Sequence, residues 1–240
     1  MRNIENTTAL ITGGTKGIGY GIAEAMLKQH MNVIITGRAQ KSVDQAVAEL
    51  QKIGKGKITG VAADVRDMHE MEDAVKMAND QFGGLDILIA NAGLGHFGSI
   101  EEITEEQWHE TIDINLTGVF NSVKTAVPSL KKSDNAYIIT IASLAGTNFF
   151  AGGAAYNASK FGLVGFTQAI MLDLRQQGIN VSTIMPGSVS TYFNNHIPSD
   201  ADAWKIQPED IGEMVIDMLK LDPRTLPSKI EVRPSRPPQK

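Results

Sequence analysis

Several stretches of this chain are apolar at nearly every residue rather than at alternate ones, and that pattern leaves few folds open. In Leu85-Asp86-Ile87-Leu88-Ile89-Ala90 and Tyr137-Ile138-Ile139-Thr140-Ile141 the hydrophobicity is nearly continuous. A strand of this kind has to be covered on both faces, as in a parallel sheet with helices packed on either side. Short β-branched runs at 7–12, 32–37, 57–63, 85–90, 135–142, 179–185 and 229–233 alternate with longer segments of helical period. This alternation predicts an α/β chain with a doubly wound parallel sheet. Helix starts are marked by Ser42 with Gln45 and by Thr104 with Gln107, both at capping-box spacing, and helix ends by Gly54, Gly83 and Gly178. Two long helices are expected, over 104–130 and 154–177.

A length of 240 residues suits one α/β domain, and no composition break, linker or repeat divides it, so residues 1–240 are expected to form a single unit. The net charge of -5 argues against nucleic acid or an anionic membrane as partner. The first residues hold no apolar signal core, and no run approaches the ~18 apolar residues of a membrane span, so a cytoplasmic protein is expected. Cysteine is absent, which removes disulfides, thiolate catalysis and cysteine metal sites; no metal site is expected. Residues 188–208 lack periodicity and follow a strand's carboxyl end, the place for a mobile substrate loop, and 234–240 reads as a frayed tail.

Gly13, Gly17 and Gly19 stand between the first strand and the first helix, where glycines permit a tight turn and bring backbone amides to a pyrophosphate. The G-x-x-x-G-x-G spacing suits a dinucleotide, and no G-x-x-x-x-G-K-[ST] phosphate loop occurs. At the end of the second strand, where a carboxylate would take the ribose 2′-hydroxyl of NAD, stands Arg38. With Lys16 it supplies two cations for a 2′-phosphate, which points to NADP(H); the competing reading is two solvated surface charges.

Tyr156 and Lys160 are four apart and share one helix face, so the ammonium is expected beside the phenol, lowering a pKa that is otherwise near ~10. Alone, such a pair is more often a solvated contact. Ser143, thirteen positions upstream of Tyr156, suits polarisation of a carbonyl oxygen, or merely ends a strand. His96 and His109 read as a loop residue and a helix-surface residue.

Taken together, these residues resemble the short-chain dehydrogenase/reductase family, with matching order and spacing from about residue 7 to 191. The motif set is Thr12-Gly13 through Gly19, Asp64-Val65, Asn91-Ala92-Gly93, Asn115, Ser143, Tyr156 with Lys160, and Pro186-Gly187 with Thr191. The resemblance implies a Rossmann fold with seven parallel strands. It implies that Gly13, Thr15, Lys16, Gly17, Ile18 and Gly19 hold the cofactor, with Asp64 and Val65 at the adenine. Asn91, Ala92 and Gly93 would support the cofactor strand, and Pro186, Gly187, Val189 and Thr191 would lie near the nicotinamide. Ser143, Tyr156 and Lys160 would be catalytic, Lys160 also holding the nicotinamide ribose, and Asn115 would place a relay water beside Lys160. Read from the residues alone, Asp64 also suits a helix cap, Asn91-Ala92-Gly93 an ordinary turn, and Asn115 a tolerated polar position in a helix.

The expected activity is NADP(H)-dependent hydride transfer between nicotinamide and a ketone or secondary alcohol, as in the carbonyl reductases and 3-oxoacyl reductases that the chain resembles. Leu94, Phe97, Leu144, Phe149, Phe150, Tyr192, Phe193 and Trp204 offer apolar area for the substrate, Leu144, Phe97, Phe150, Tyr192 and Phe193 with Ser143 being the chosen contacts. Small anionic ketoacids are disfavoured, because 94–102 and 188–202 carry acidic residues and neither Lys nor Arg. A thioester on an acidic carrier protein is the alternative, with Lys131, Lys132 and Arg175 available for docking; a nucleotide-sensing regulator is the non-enzyme alternative. A homodimer or homotetramer is expected through the two long helices, where Leu163, Phe166, Ile170 and Leu174 recur at helical spacing, although the same residues serve equally as internal core. The ending Lys229-Ile230-Glu231-Val232-Arg233-Pro234 replaces the Asp-Gly-Gly finish of the 3-oxoacyl reductases and puts their tetramer contact in doubt.

Overall fold

The computed structural model describes residues 2–53 and 55–237; Gly54 and 238–240, where the sequence predicts a helix end and part of a frayed tail, lie outside the described residues. The strands are β1 (Thr8–Ile11), β2 (Asn32–Gly37), β3 (Ile58–Ala62), β4 (Ile87–Ala90), β5 (Tyr137–Ile141), β6 (Asn180–Pro186) and β7 (Lys229–Val232). All pair in parallel in one seven-stranded sheet of order β3-β2-β1-β4-β5-β6-β7. The helices are α1 (Gly17–Lys28), α2 (Gln40–Leu50), α3 (Met68–Phe82), α4 (Glu105–Ile112), α5 (Gly118–Leu130), α6 (Ala154–Leu174) and α7 (Pro208–Lys220).

Neighbouring strand residues go to opposite faces, which accounts for the continuous hydrophobicity. Ile11, Ile35, Ile89 and Ile139 pack with residues of α1, α2 and α7, while Leu10, Ile34, Leu88 and Ile138 pack with residues of α3, α5 and α6. Leu163 and Leu174 are buried in the second of these cores and Phe166 and Ile170 pack against it, so the core alternative holds for them.

The helix boundaries follow local chemistry. Thr104 and Gln107 form both bonds of a capping box, and Gly83 and Gly178 end their helices with φ of 82° and 78°. The expected cap at Ser42 is not formed: α2 starts two residues earlier, after Ala39, whose carbonyl accepts from the Ser42 and Val43 amides. Gln40 instead uses its side chain to accept from the Ala62 amide, tying the start of α2 to the end of β3. Asp67, not Asp64, caps α3. The expected helix over 104–130 is interrupted by a π turn, Asp113–Thr117, in which the Gly118 amide reaches back to the Asp113 carbonyl. One extra residue is accommodated there, and Asn115 stands in the middle of it.

Helices α1 and α7 approach backbone to backbone at two glycines. A Cβ on Gly212 would lie 2.6 Å from the Gly21 carbonyl oxygen, and one on Gly21 would lie 2.6 Å from that of Pro208. Gly212→Ala should therefore force the helices apart and lower the thermal unfolding midpoint by roughly 3–10 °C. Gly165→Ala, on α6 where nothing stands within 4 Å of the added carbon, should leave the midpoint unchanged or raise it slightly. Equal midpoints for the two variants would show that the seam tolerates a side chain.

Candidate active site

At the carboxyl edge of the sheet, outside β1 and β4, a cavity of about 620 Å³ opens. The winding reverses between these two strands, so the turns leaving them diverge and make room for a ligand. The turn after β1 brings Gly13, Thr15, Lys16, Gly17 and Ile18 to the wall. It is locked to the turn after β4: Asn91 Nδ2 donates to the Thr12 and Gly13 carbonyls, each at 3.0 Å, and Thr12 Oγ1 accepts from the Asn91 and Ala92 amides at 3.0 and 3.1 Å. Gly19 sits behind this lock, where a Cβ would come within 2.4 Å of the Gly13 carbonyl oxygen. Gly17, at φ 59°, begins α1 in a conformation that side chains rarely adopt.

Arg38, Ala39 and Ser42 line the cavity as Lys16 does, and neither Lys16 nor Arg38 forms an ion pair among the described residues. Thr36 also lines it, and its buried hydroxyl has no hydrogen-bond partner among the described residues. Asp64 and Val65 follow β3. The Arg66 guanidinium grips Asp64 from Nε to Oδ1 at 3.0 Å and from Nη2 to Oδ2 at 2.5 Å, holding the carboxyl below its usual range. Asn121, buried on α5, donates to the Val65 and Arg66 carbonyls at 2.9 and 3.0 Å and fixes this turn. Sequence reasoning missed Ser42, Arg66 and Asn121. A cation two residues after Asp64 and a poor helix former inside an apolar helix were the available signals.

After β4, Ala92, Gly93 and Leu94 line the cavity. Asn115 is fully buried behind them: its Oδ1 accepts from the Leu94 amide at 2.9 Å, and its Nδ2 donates to the Leu94 carbonyl at 2.8 Å and to Ser159 Oγ at 3.0 Å. After β5 comes Ser143, whose Oγ accepts from the Ala145 amide at 3.1 Å. Asn157, also missed although it follows Tyr156 directly, donates to the Ala145 and Asn148 carbonyls at 2.8 and 2.9 Å and accepts from the Phe150 amide at 3.3 Å. After β6, Pro186, Gly187 and Val189 stay below the cavity: the Gly187 amide is bonded to the Val232 carbonyl and Val189 bridges to Ile206. Leu144 lies against Gly187. Thr191, Tyr192 and Phe193 do reach the wall, Thr191 beside Gly17 and the Tyr192 ring 5.8 Å from Lys16 Nζ. Phe97 and Phe150 stand to the side, Phe97 against Tyr156 and Phe150 against Phe97.

On α6, Tyr156 and Lys160 line the cavity together, Nζ being 5.7 Å from the phenol ring centre. Lys160 is buried, meets the Ile141 carbonyl at 3.2 Å and forms no ion pair among the described residues. Burial brings its pKa down to about 8. The phenol departs from the sequence expectation: its pKa lies above the ordinary value, because burial disfavours the phenolate more than the Ser143 hydroxyl stabilises it. Ser143, and not Lys160, is the neighbouring group that acts in the direction of ionisation.

The sequence pattern of the family described as short chain dehydrogenase matches residues 7–202. The chain belongs to that family. Among its relatives, a D-beta-hydroxybutyrate dehydrogenase of Cupriavidus necator is 41% identical over 189 residues, 78% of this chain and 72% of that protein. Among solved structures, an alcohol dehydrogenase from the archaeon Thermococcus sibiricus, complexed with 5-hydroxy-NADP, superposes with a TM-score of 0.90 at 26% identity, covering 98% of this chain and 99% of that one. A variant of actinorhodin polyketide ketoreductase with NADPH superposes with a TM-score of 0.85 at 29% identity, covering 95% and 96%. Short-chain dehydrogenases use nicotinamide cofactors, and the residues here suit one: the glycine cradle leaves the backbone bare, and the Thr36 hydroxyl lacks a partner.

A lysine whose folded pKa is lowered destabilises the fold wherever it must stay charged. Below about pH 8 the folded chain carries that charge in a buried place; between about 8 and 10.5 the unfolded chain binds more protons, so stability rises with pH. Lys160→Met should thus stabilise the short-chain dehydrogenase, measured without added nucleotide, by an amount on the order of 3 kcal/mol at pH 7 while abolishing turnover. The gap in unfolding midpoint between variant and parent should close as pH approaches 10.5. A gap that does not change with pH would show that Lys160 is not the titrating group.

Proposed function

We propose that this short-chain dehydrogenase is an NADP(H)-dependent oxidoreductase that interconverts a ketone and a secondary alcohol, with Tyr156 as acid and base. The observation that carries the reading is the convergence of Tyr156, with Ser143 at its phenol, and the buried Lys160 on a cavity that Lys16 and Arg38 also line. When bound, NADPH supplies the hydride. Ser143 holds the carbonyl oxygen and Tyr156 gives it a proton as negative charge grows there. Lys160 contributes positive charge beside that oxygen and holds the nicotinamide ribose, while Asn115 keeps the turn around Leu94 in place and serves the relay of protons to Lys160. Gly13 to Gly19, Asp64, Val65 and Asn91 to Gly93 form the nucleotide wall, with Thr191 at its nicotinamide end and Pro186, Gly187 and Val189 supporting that end from outside the wall. Lys16, Arg38 and the hydroxyl of Ser42 take the 2′-phosphate, and two neighbours that were solved with NADP-type nucleotides support that choice. Residues 188–208 act as the substrate lid. A homodimer or homotetramer would cover Phe120 and Phe161, which are exposed on α5 and α6.

A thioester substrate is the second reading, favoured by the likeness to a polyketide ketoreductase and by Lys131, Lys132 and Arg175, all exposed. Tyr156→Phe keeps the packing and removes the proton, so reduction of a ketone panel should fall by roughly 10²-fold or more. Near-normal turnover would overturn the acid-base assignment. Arg38→Ala should raise KM for NADPH about tenfold or more and leave KM for NADH nearly unchanged. Equal use of both nucleotides by the parent protein would remove the phosphate clamp.

A further inference from the structure

Three phenyl rings gather at the ring of Tyr156, each delivered by a different loop. Phe97, from the loop after β4, stands edge-on to Tyr156 with 5.3 Å between centroids. Phe193, from the segment after β6, is 5.7 Å from Tyr156 and 6.2 Å from Phe97. Phe150, after β5, backs Phe97 at 5.9 Å. Gly95 forms the floor: a Cβ there would lie 2.8 Å from the tip of Phe193 and 2.9 Å from the tip of Phe97, so the two ring tips rest on bare backbone.

These rings are not core. Phe97 is 41% exposed, Phe150 47% and Phe193 38%, although each touches another ring. They form an open box of apolar surface with the reacting phenol as one wall. The loops of Phe97 and Phe150 are joined by a bridge, Gly98 N donating to the Gly152 carbonyl at 2.9 Å, so that side is fixed. Phe193 belongs to the separate lid. It is followed by Asn194 and Asn195, both in the left-handed region, and the lid is pinned farther along by the buried Asp202, which holds His196 and Lys205. The charged groups carried by these loops are paired, His196 and Lys205 with Asp202 and His96 with Glu110 at 2.7 Å, while Lys160, 5.7 Å from the Tyr156 ring centre, is buried on the Ile141 carbonyl. No cation among the paired loop groups is left to hold a small carboxylate.

We infer that Phe193 is a specificity-determining residue whose ring covers the place of the substrate's own ring against Tyr156 and Phe97, so that the enzyme selects carbonyl compounds bearing an aryl group over small aliphatic ketones and 3-oxo acids. This rests on the ketone reductase reading above. Any substrate has to part Phe193 from Tyr156 and Phe97, and each aromatic pair corresponds to roughly 2- to 12-fold in an equilibrium. An aryl group restores those contacts from its own surface; a methyl or ethyl group does not.

The test is kcat/KM for acetophenone, butan-2-one and 3-oxobutanoate with the parent enzyme, Phe193→Ala and Phe193→Leu. The parent should prefer acetophenone. Phe193→Ala should shrink its preference over butan-2-one by roughly 5- to 100-fold, through KM and not kcat, with butan-2-one gaining. Phe193→Leu keeps apolar bulk without a ring, should fall between, and gives the answer should the alanine variant fail to fold. An unchanged preference, or a parent enzyme that uses 3-oxobutanoate best, would overturn the proposal. If no ketone is turned over, the reductase reading fails by itself, and calorimetric titration with acetophenone then decides this one: binding weakened in Phe193→Ala supports the box, and binding equal in both proteins, or none, sinks it.

Discussion

Side-chain amides hold the active-site edge of this sheet together. Turns that leave a parallel strand have carbonyl and amide groups with no strand to pair with, and a buried group left so is costly. Asn91 supplies the missing partners to the turn after β1, Asn121 to the turn after β3, Asn115 to the turn after β4 and Asn157 to the loop after β5. Each amide bonds the turn twice or more, so it fixes position and orientation together. The cavity owes its shape to these clamps together with the strand ends, for Thr36, Gly37 and Ile141 of β2 and β5 line it beside the turn residues.

Residues whose types have few substitutes were legible in the sequence. Continuous apolar runs announced both-sided burial, Gly83 and Gly178 marked helix ends through their backbone freedom, and Tyr156 with Lys160 stood out by spacing. What stayed hidden depends on distant partners. Asn121 looks like a weak helix former until the Val65 carbonyl, 56 positions away, is known to lie beside it. Ser42 carries a helix-start spacing, yet Gln40 is engaged by the Ala62 amide and draws the helix start back to itself. The π turn at Asn115 interrupts a periodicity that otherwise runs on, because the side chain there serves the Leu94 turn and Ser159 at once.

Electrostatics was the least legible part. Spacing placed an ammonium next to a phenol, but it carries no information about solvent. Burial acts on both groups in the direction that disfavours charge, lowering the lysine and raising the tyrosine, and at 5.7 Å from the ring centre the lysine does not reverse this. The site thereby holds a neutral phenol beside an ammonium that burial makes easier to deprotonate, and its fold carries the penalty of a lysine without a carboxylate partner among the described residues.

The bare contact between α1 and α7 has a bearing on the lid. The bridge of Val189 to Ile206 closes the loop's neck, and Pro208, two residues on, is pressed against Gly21 of the helix that starts at the glycine cradle. The upstream end leans on that cradle through Thr191 and Gly17. Both ends of the segment are thus tied to α1 and the turn before it, and Tyr192 to Asn195 between them stand on the cavity wall, so exchanging residues 192–205 for another sequence would redraw the mouth of the cavity and that part of its wall together.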